Sequence, residues 1–546
     1  MEKRVIIALV LSLIVLIGYP FLFLENKKDS EKQTVEKKSS ENILPDKTTE
    51  EKKSTGKETH YPISTTEVKE EILSIDTPLL NVKINTRGGV IIYWELKKFK
   101  DDKKEKNIVL FSNPNKELSA YPLSVSTPDQ SLNQDLASGL YHSEGGTQVH
   151  LDAKHPKETI LLSFFNPTTQ KGIIKTITFY ERSYSVDIAV EPIGFTDDWV
   201  LGSGSNFGIQ SWGDQMVIGY SGPSTKVGTK VIQDKPSKID IGKEVFHPQP
   251  IDWTALNDKY FIGAWIPKSA VKGAVTTKNK DKDIQTGLKL SKEGKSLLTL
   301  YAGPKEYEEL KNLNIGLDKT IEFGWFMFGD WNAIRWIAKT LFHGLQILYE
   351  FTHNYGLSII LITVIIKIAF IPLTHKSYKS MKAMQNLQPE MQKLQKKYKD
   401  DKQKMNKELI ELYKTHKVNP LGGCLPVLLQ VPVFIGLFNL LYNTIELRQA
   451  HFFLWVQDLS IKDPFYILPI VMGITMFIQQ KITPTTMDPR QAKIMLFLPI
   501  LFTFFFLNFP SGLVLYWLVN NVLTITQQYI TIKYLGTSKS PAIKNK

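Results

Sequence analysis

A lysine in the middle of an apolar run is the residue best placed to do chemistry in this sequence. Lys367 lies 11 residues after Gly356 and 7 before Thr374, in a stretch with no other charge. Carrying an ammonium there costs roughly 2.5–3.5 kcal/mol on insertion scales. Snorkelling is the bland account, but mid-run is the worst position for it. Thr363 sits one turn earlier on the same helical face. Gln430, Asn520, Asn521 and Thr524 add hydrogen-bonding groups to other apolar runs. Together these side chains can line a wet polar cavity, and each amide can equally serve as glue between helices. The chemistry on offer is electrostatic attraction and hydrogen bonding rather than bond making.

Covalent chemistry has no comparable candidates. There is no Ser-His-Asp order, no metal-ligand spacing and no phosphate loop. Gly202-x-Gly204 lacks the remaining glycines of a dinucleotide fingerprint and reads as a loop. The single cysteine, Cys424, excludes an intrachain disulfide framework and a cysteine-built zinc or iron–sulfur site. We therefore expect no cofactor, no metal and no enzyme activity.

The elements that must position Lys367 are apolar runs. The 546 residues are 42% apolar and 22% charged, with a formal net charge of +13. A mean hydropathy of −0.14 suggests a soluble chain, but the apolar residues are clustered. Val5–Leu24 follows Lys3 and Arg4 and is long enough for the hydrocarbon core. No small-x-small cleavage site follows Gly18-Tyr19-Pro20-Phe21, so we read residues 1–24 as a signal anchor rather than a cleaved signal peptide. Residues 25–60 hold 18 charged side chains in 36 and read as a disordered tether. The C-terminal third supplies five more runs, at about 356–374, 421–442, 465–480, 494–509 and 513–532. The two shortest can be buried core helices, but five runs in 180 residues favour membrane spans, with short ones implying a thin bilayer. Pro426, Pro432, Pro469 and Pro499 predict kinks.

Loop charge gives the orientation. Residues 375–418 carry 12 Lys against 5 acids, residues 481–493 carry +2, residues 533–546 carry +4, and residues 443–464 carry −1. The positive loops and both chain ends are therefore cytoplasmic. The +13 is a topology signal, and no DNA partner is expected.

Residues 61–325 form the large external loop. Short β-rich runs (79–86, 90–96, 159–165, 172–180, 184–190) separated by turn residues predict an antiparallel β-sandwich. Arg87-Gly88-Gly89 marks a hairpin. No sustained helical period is apparent before about residue 300. Trp253, Tyr260, Phe261 and Trp265 read as core. Within 326–354, Trp331, Ile334, Ala338, Leu341, Leu345 and Leu348 recur at three- and four-residue spacing. That helix lies either in the membrane interface or against the sandwich. On the cytoplasmic side, Met384, Leu387, Met391, Leu394 and Tyr398 make a heptad seam. Lys399-Asp400-Asp401-Lys402 breaks it, and Met405, Leu409 and Leu412 continue it on a second helix. The methionines adapt to varied partners. The lysines suit anionic lipids or ribosomal RNA, or are a solvated face.

Several motifs occur together: Asn419-Pro420-Leu421-Gly422-Gly423-Cys424-Leu425-Pro426, Gln430-Val431-Pro432, Glu446-Leu447-Arg448, Asp463-Pro464-Phe465-Tyr466-Ile467-Leu468-Pro469 and Phe509-Pro510-Ser511-Gly512-Leu513-Val514-Leu515-Tyr516. They closely resemble the YidC membrane protein insertases, strongly over about 325–535. Trp253 with Tyr260-Phe261-x-x-Ala264-x-x-Pro267 is similar to the external domain of the Gram-negative form. The resemblance implies five core membrane helices plus an N-terminal anchor. It also implies a periplasmic all-β supersandwich similar to sugar-mutarotase folds, an insertase core at 355–535 with a hairpin at 375–418, and a basic tail at 536–546. It implies insertion of nascent inner-membrane proteins, alone or with the Sec translocon, with the ribosome or signal recognition particle pathway as possible partners. Lys367 falls at the groove's charge position, where arginine is usual and offers a planar fork that lysine lacks. Thr363 and Trp517 map to substrate-contacting positions, with Trp517 where tyrosine is common, and the polar Gln430, Asn520 and Asn521 join them in the expected groove. Phe434, Met472 and Phe505 map to a hydrophobic slide, and Met384, Met391 and Met405 to the hairpin. A small-solute transporter and a periplasmic scaffold are the alternative readings; no paired internal repeat supports the former.

Overall fold

The computed structural model describes residues 69–101, 104–112, 120–210, 220–321, 332–399, 401–416, 418, 425–483 and 495–537. The anchor, the tether, Cys424 and the C-terminal tail lie outside them. So do Trp331 and most of the loop 481–493.

Alternating apolar residues fold the first part of the chain into β-structure. β1 (Ile72–Asp76), β2 (Leu80–Asn85), β3 (Val90–Lys100) and β4 (Asn107–Ser112) form one sheet with a later strand; β5 spans Pro122–Ser126. The β2–β3 turn is the expected hairpin, with Gly88 and Gly89 at φ 74° and 57°, where a Cβ is disfavoured. β6 (His142–Glu144), β7 (Gln148–His150), β8 (Lys157–Asn166), β9 (Lys171–Tyr180), β10 (Ser185–Ile193) and β11 (Trp199–Ser203) follow. Then come β12 (Gly222–Val227), β13 (Lys230–Gln233), β14 (Glu244–Pro248), β15 (Ile251–Asn257), β16 (Phe261–Pro267), β17 (Gly273–Lys278), β18 (Ile284–Leu290) and β19 (Ser296–Pro304).

These strands build three sheets, in the orders β4-β3-β2-β1-β7, β13-β12-β15-β16-β19-β10-β9-β8-β6 and β14-β17-β18-β11-β5. The pairing departs from a purely antiparallel sandwich at one place, where β1 and β7 run parallel. A further departure is helix α1 (Gln130–Ser138), capped by Asp129 and pinned by buried Leu132 and Leu136. At nine residues it is too short for a sustained period to betray it. Trp253, Tyr260, Phe261 and Trp265 are buried, as expected of core.

A short helix α2 (Tyr307–Asn312) leads toward the helical part. There α3 (Asn332–Thr352), α4 (Tyr355–Lys397), α5 (Lys402–Thr415), α6 (Leu425–Asn443), α7 (Ile467–Ile482), α8 (Leu498–Phe506) and α9 (Ser511–Thr537) pack together. Among the described residues one helix, α4, is long and apolar enough by itself to cross a bilayer; α7 is a shorter apolar helix. The sequence predicted a span ending near Thr374 and a separate hairpin helix. Instead α4 runs unbroken through both for 43 residues, because only the composition changes at Thr374-His375-Lys376, not the helical period. The predicted kinks also need correction. Pro469 and Pro499 lie in the first turns of α7 and α8, where no N–H is owed, whereas Pro432 is interior to α6. Pro372 and Pro389, inside α4, are the prolines whose kinking power the sequence reading passed over.

α3 resolves its two readings in a mixed way. Ile334, Ala338, Phe342 and Leu345 are buried. Gly436 of α6 lets Ala338 approach closely, and Phe342 meets Tyr307 of α2 edge-on at 5.3 Å. Trp336, Ile347 and Phe351 remain exposed, at 69%, 55% and 80%. One face therefore packs on the core and α2, and another offers aromatic surface of the kind suited to a membrane interface.

Candidate functional site

α9 is the spine of the site. Its polar residues fall three and four apart and reach three different helices. Asn520 Oδ1 accepts from Gln430 Nε2 of α6 at 2.8 Å. Thr524 Oγ1 accepts from Lys367 Nζ of α4 at 2.6 Å and donates to Asn520 O at 2.6 Å. Gln527 Nε2 donates to Thr374 Oγ1, also of α4. On the neighbouring face Asn521 Nδ2 donates to Thr475 Oγ1 of α7 at 3.2 Å. Lys367 is half-buried, so its charge is held inside the helical bundle by α9 while part of it stays accessible. Lys367, Gln430, Asn520 and Thr524, expected to share a cavity, thus form one hydrogen-bonded chain.

Other candidates separate from it. Thr363 is buried, and its hydroxyl donates to Ile359 O within α4 at 2.6 Å. Asn521 is buried on the side of α7. Trp517, one turn before Asn520 and Asn521, anchors an aromatic box: Phe434 meets it edge-on at 4.7 Å and Phe506 lies at 5.0 Å. Phe434 is half-buried and Phe505 is 45% exposed, whereas Met472 is fully enclosed. The box rests on Phe502 and Phe506, which the sequence reading did not single out. Their i,i+4 spacing with Phe509 on the same side was the available signal.

The predicted hairpin seam pairs α4 with α5. Met384, Leu387 and Met391 are buried against Leu409, Leu412, Tyr413 and Val418. Tyr413 Oη lies 3.9 Å from Met391 Sδ. Met405 is half-buried on α5 outside that cluster. Asp401 caps α5 by accepting from Lys404 N at 3.0 Å, which explains why the acidic pair interrupts the seam.

The comparisons with known proteins match both halves of the chain. The family model described as 60Kd inner membrane protein matches residues 347–538, and that described as YidC periplasmic domain matches 72–343. A membrane protein insertase YidC of Geotalea daltonii is 40% identical, covering 97% of this chain and 98% of that protein. The chain belongs to the YidC membrane protein insertase family. Its counterpart from Syntrophus aciditrophicus is 38% identical over 97% of this chain and 99% of that protein. The family's arrangement of a periplasmic β-rich domain and a helical core is the one described above. Among solved structures, an active YidC insertase crystal structure covers 85% of this chain and 95% of that one, at 18% identity and a TM-score of 0.36. A galactose mutarotase-like protein from Lactobacillus casei covers 43% of this chain and 99% of that one, at 13% identity and a TM-score of 0.26.

Proposed function

We propose that this membrane protein insertase works through the Lys367 chain, with α9 as a polar strip inside the inner membrane. The hydrogen bond from Lys367 Nζ to Thr524 Oγ1 carries the reading, because it ties one cation to the helix that also bears the Gln430–Asn520 amide pair, within otherwise apolar helices. The strip lowers the cost of bringing a client's polar flank part-way into the bilayer, since the flank exchanges water for Lys367, Gln430 and Asn520. Lys367 attracts acidic residues in that flank. The apolar segment then leaves sideways past Phe434, Phe505 and Trp517 into lipid, driven by hydrophobic transfer. No covalent step is required.

The topology that goes with this reading has six spans. Residues 1–24, 356–374, 421–442, 465–480, 494–509 and 513–532 cross, both termini are cytoplasmic, and residues 61–325 are periplasmic. The hairpin with Met384, Met391 and Met405 receives clients from the ribosome or the signal recognition particle pathway. Some clients arrive with the Sec translocon.

Reconstitution with one small client tests the charge. For a client with acidic residues in its translocated flank, Lys367→Met lowers insertion roughly tenfold, the loss of one partly desolvated ion pair, and Lys367→Arg restores it. A client with a neutral flank is spared. Equal insertion of both clients by Lys367→Met at equal protein level removes the role given to Lys367.

A further inference from the structure

α7 and α8 enclose a second feature on the side away from the polar strip. An apolar groove of about 530 Å³ runs between them, walled by Ile470, Ile474 and Phe477 on α7 and Ile500 and Phe504 on α8. These five side chains are 42–73% exposed. The floor is fixed by Gly473: a Cβ there would lie 2.0 Å from Thr503 Oγ1, so only glycine permits this approach. Thr503 spends its hydroxyl on Pro499 O at 2.7 Å, and the groove therefore presents carbon throughout.

Size decides between two apolar occupants. A helix about 10–12 Å across would fit for only about one turn in that volume, whereas a slender alkyl chain fits along its length. Charge decides which lipid. Lys481 is exposed in the last turn of α7, one turn beyond Phe477. The sequence that follows adds Arg490 and Lys493 against Asp488. We propose that the groove binds an anionic phospholipid, with one acyl chain along α7 and α8 and the headgroup phosphate at Lys481. The proposal rests on the cytoplasmic assignment of residues 481–493 made above. Transfer from bilayer to groove gains no hydrophobic free energy, so the acyl chain supplies packing and the lysine supplies selectivity.

The test uses the full chain in nanodiscs containing phosphatidylglycerol or phosphatidylcholine with a photoreactive group in mid-chain. Phosphatidylglycerol is expected to label the groove residues above Ile365 and Ile368, which are exposed on α4. Ile474→Trp with Ile500→Trp fills the groove and brings labelling down to the α4 level. Lys481→Gln, a surface change that leaves the helix packing alone, removes a preference for phosphatidylglycerol of about fivefold while keeping alkyl labelling. Equal labelling of groove and α4, unchanged by the Trp variants, overturns the proposal. So does displacement of the lipid by a client segment that labels the same residues. In a Cys424→Ser background, Thr485→Cys modified by an impermeant maleimide from the periplasmic side overturns the topology, and with it the headgroup assignment.

Discussion

Two lysines show how differently one side chain behaves with its surroundings. Lys367 was legible because a charge in an apolar run has no cheap explanation. Thr524 was legible as a member of the same cavity but not as its direct partner, since it lies 157 residues away and no local pattern encodes that distance. Lys175 is the opposite case. Strand alternation places it between buried Ile173 and Ile177 on β9, so the signal was present but unused. It is fully buried, and its ammonium donates to the carbonyls of Gly88, Gly89 and Leu123 at 3.0, 2.9 and 2.9 Å over the ring of Tyr141. It therefore ties the β2–β3 turn to the start of β5. Lys175→Met leaves three carbonyls without that donor and costs about 1–3 kcal/mol, read as a lower unfolding temperature of the full chain in detergent. Burial pushes its pKa down to about 7. The unfolded amine, near 10.4, holds more protons across that window, so stability rises as pH climbs from 7 toward 10. In Lys175→Met this rise is absent from the same unfolding measurements.

At the scale of elements, the glycines at helix crossings matter more than the periodicities. Spacing gave α3 its buried face but not its neighbours. Those are set by Gly436, whose Cβ would meet Ile337 Cγ2 at 3.0 Å and Ala338 N at 3.3 Å. Gly436→Val adds branches at this backbone contact and forces α3 off α6. The expected loss is about 1–3 kcal/mol, seen as reduced full-length protein in membranes and faster proteolysis within 332–352. Gly436→Ala, with one methyl, is milder in both measurements. Span lengths were less legible for a related reason. The run 494–509 reads as about 16 apolar residues, yet α8 is nine residues long and ends in turns before Phe509. Hydropathy reports which residues avoid water, and both helix and turn satisfy that inside a bundle.

At the scale of the molecule, the β-domain and the helical core are joined through the end of α6 and the segment after it. Lys104 Nζ donates to Gln457 O at 3.0 Å, Gln449 Nε2 donates to Asp101 O at 2.8 Å, and Lys259 lies 3.8 Å above the ring of Tyr442. Glu446 Oε1 accepts from Tyr307 N at 3.3 Å. Burial, aided by Glu306 and Glu308, raises its carboxyl to about 7. A carboxyl with a folded pKa above its unfolded value holds more protons when folded. The joint is accordingly most stable in acid and loses stability as pH rises from about 4.5 through 7. Glu446→Gln keeps the acceptor and removes this dependence, so thermal unfolding of the variant is flatter across pH 5–8 and higher than wild type at pH 8. An unchanged pH profile would assign the dependence to another group. The loop charge of −1 over 443–464 marked this segment as external, but nothing local showed that it carries the joint.

The unbroken α4 has a mechanical meaning. Its part beyond Pro372, Leu373–Lys397, is an arm about 38 Å long at helical rise. Pro372 withholds the hydrogen bond to Ile368 O just past Lys367, as Pro389 does further along, and the arm therefore has a pivot at its root. A swing of about 10° about that pivot sweeps the far end through about 7 Å at helical rise. Lys367 lies on the other side of the pivot and is tethered to α9. Under the proposed mechanism, capture of an emerging segment is loose and far-reaching while the charge it is delivered to keeps its place.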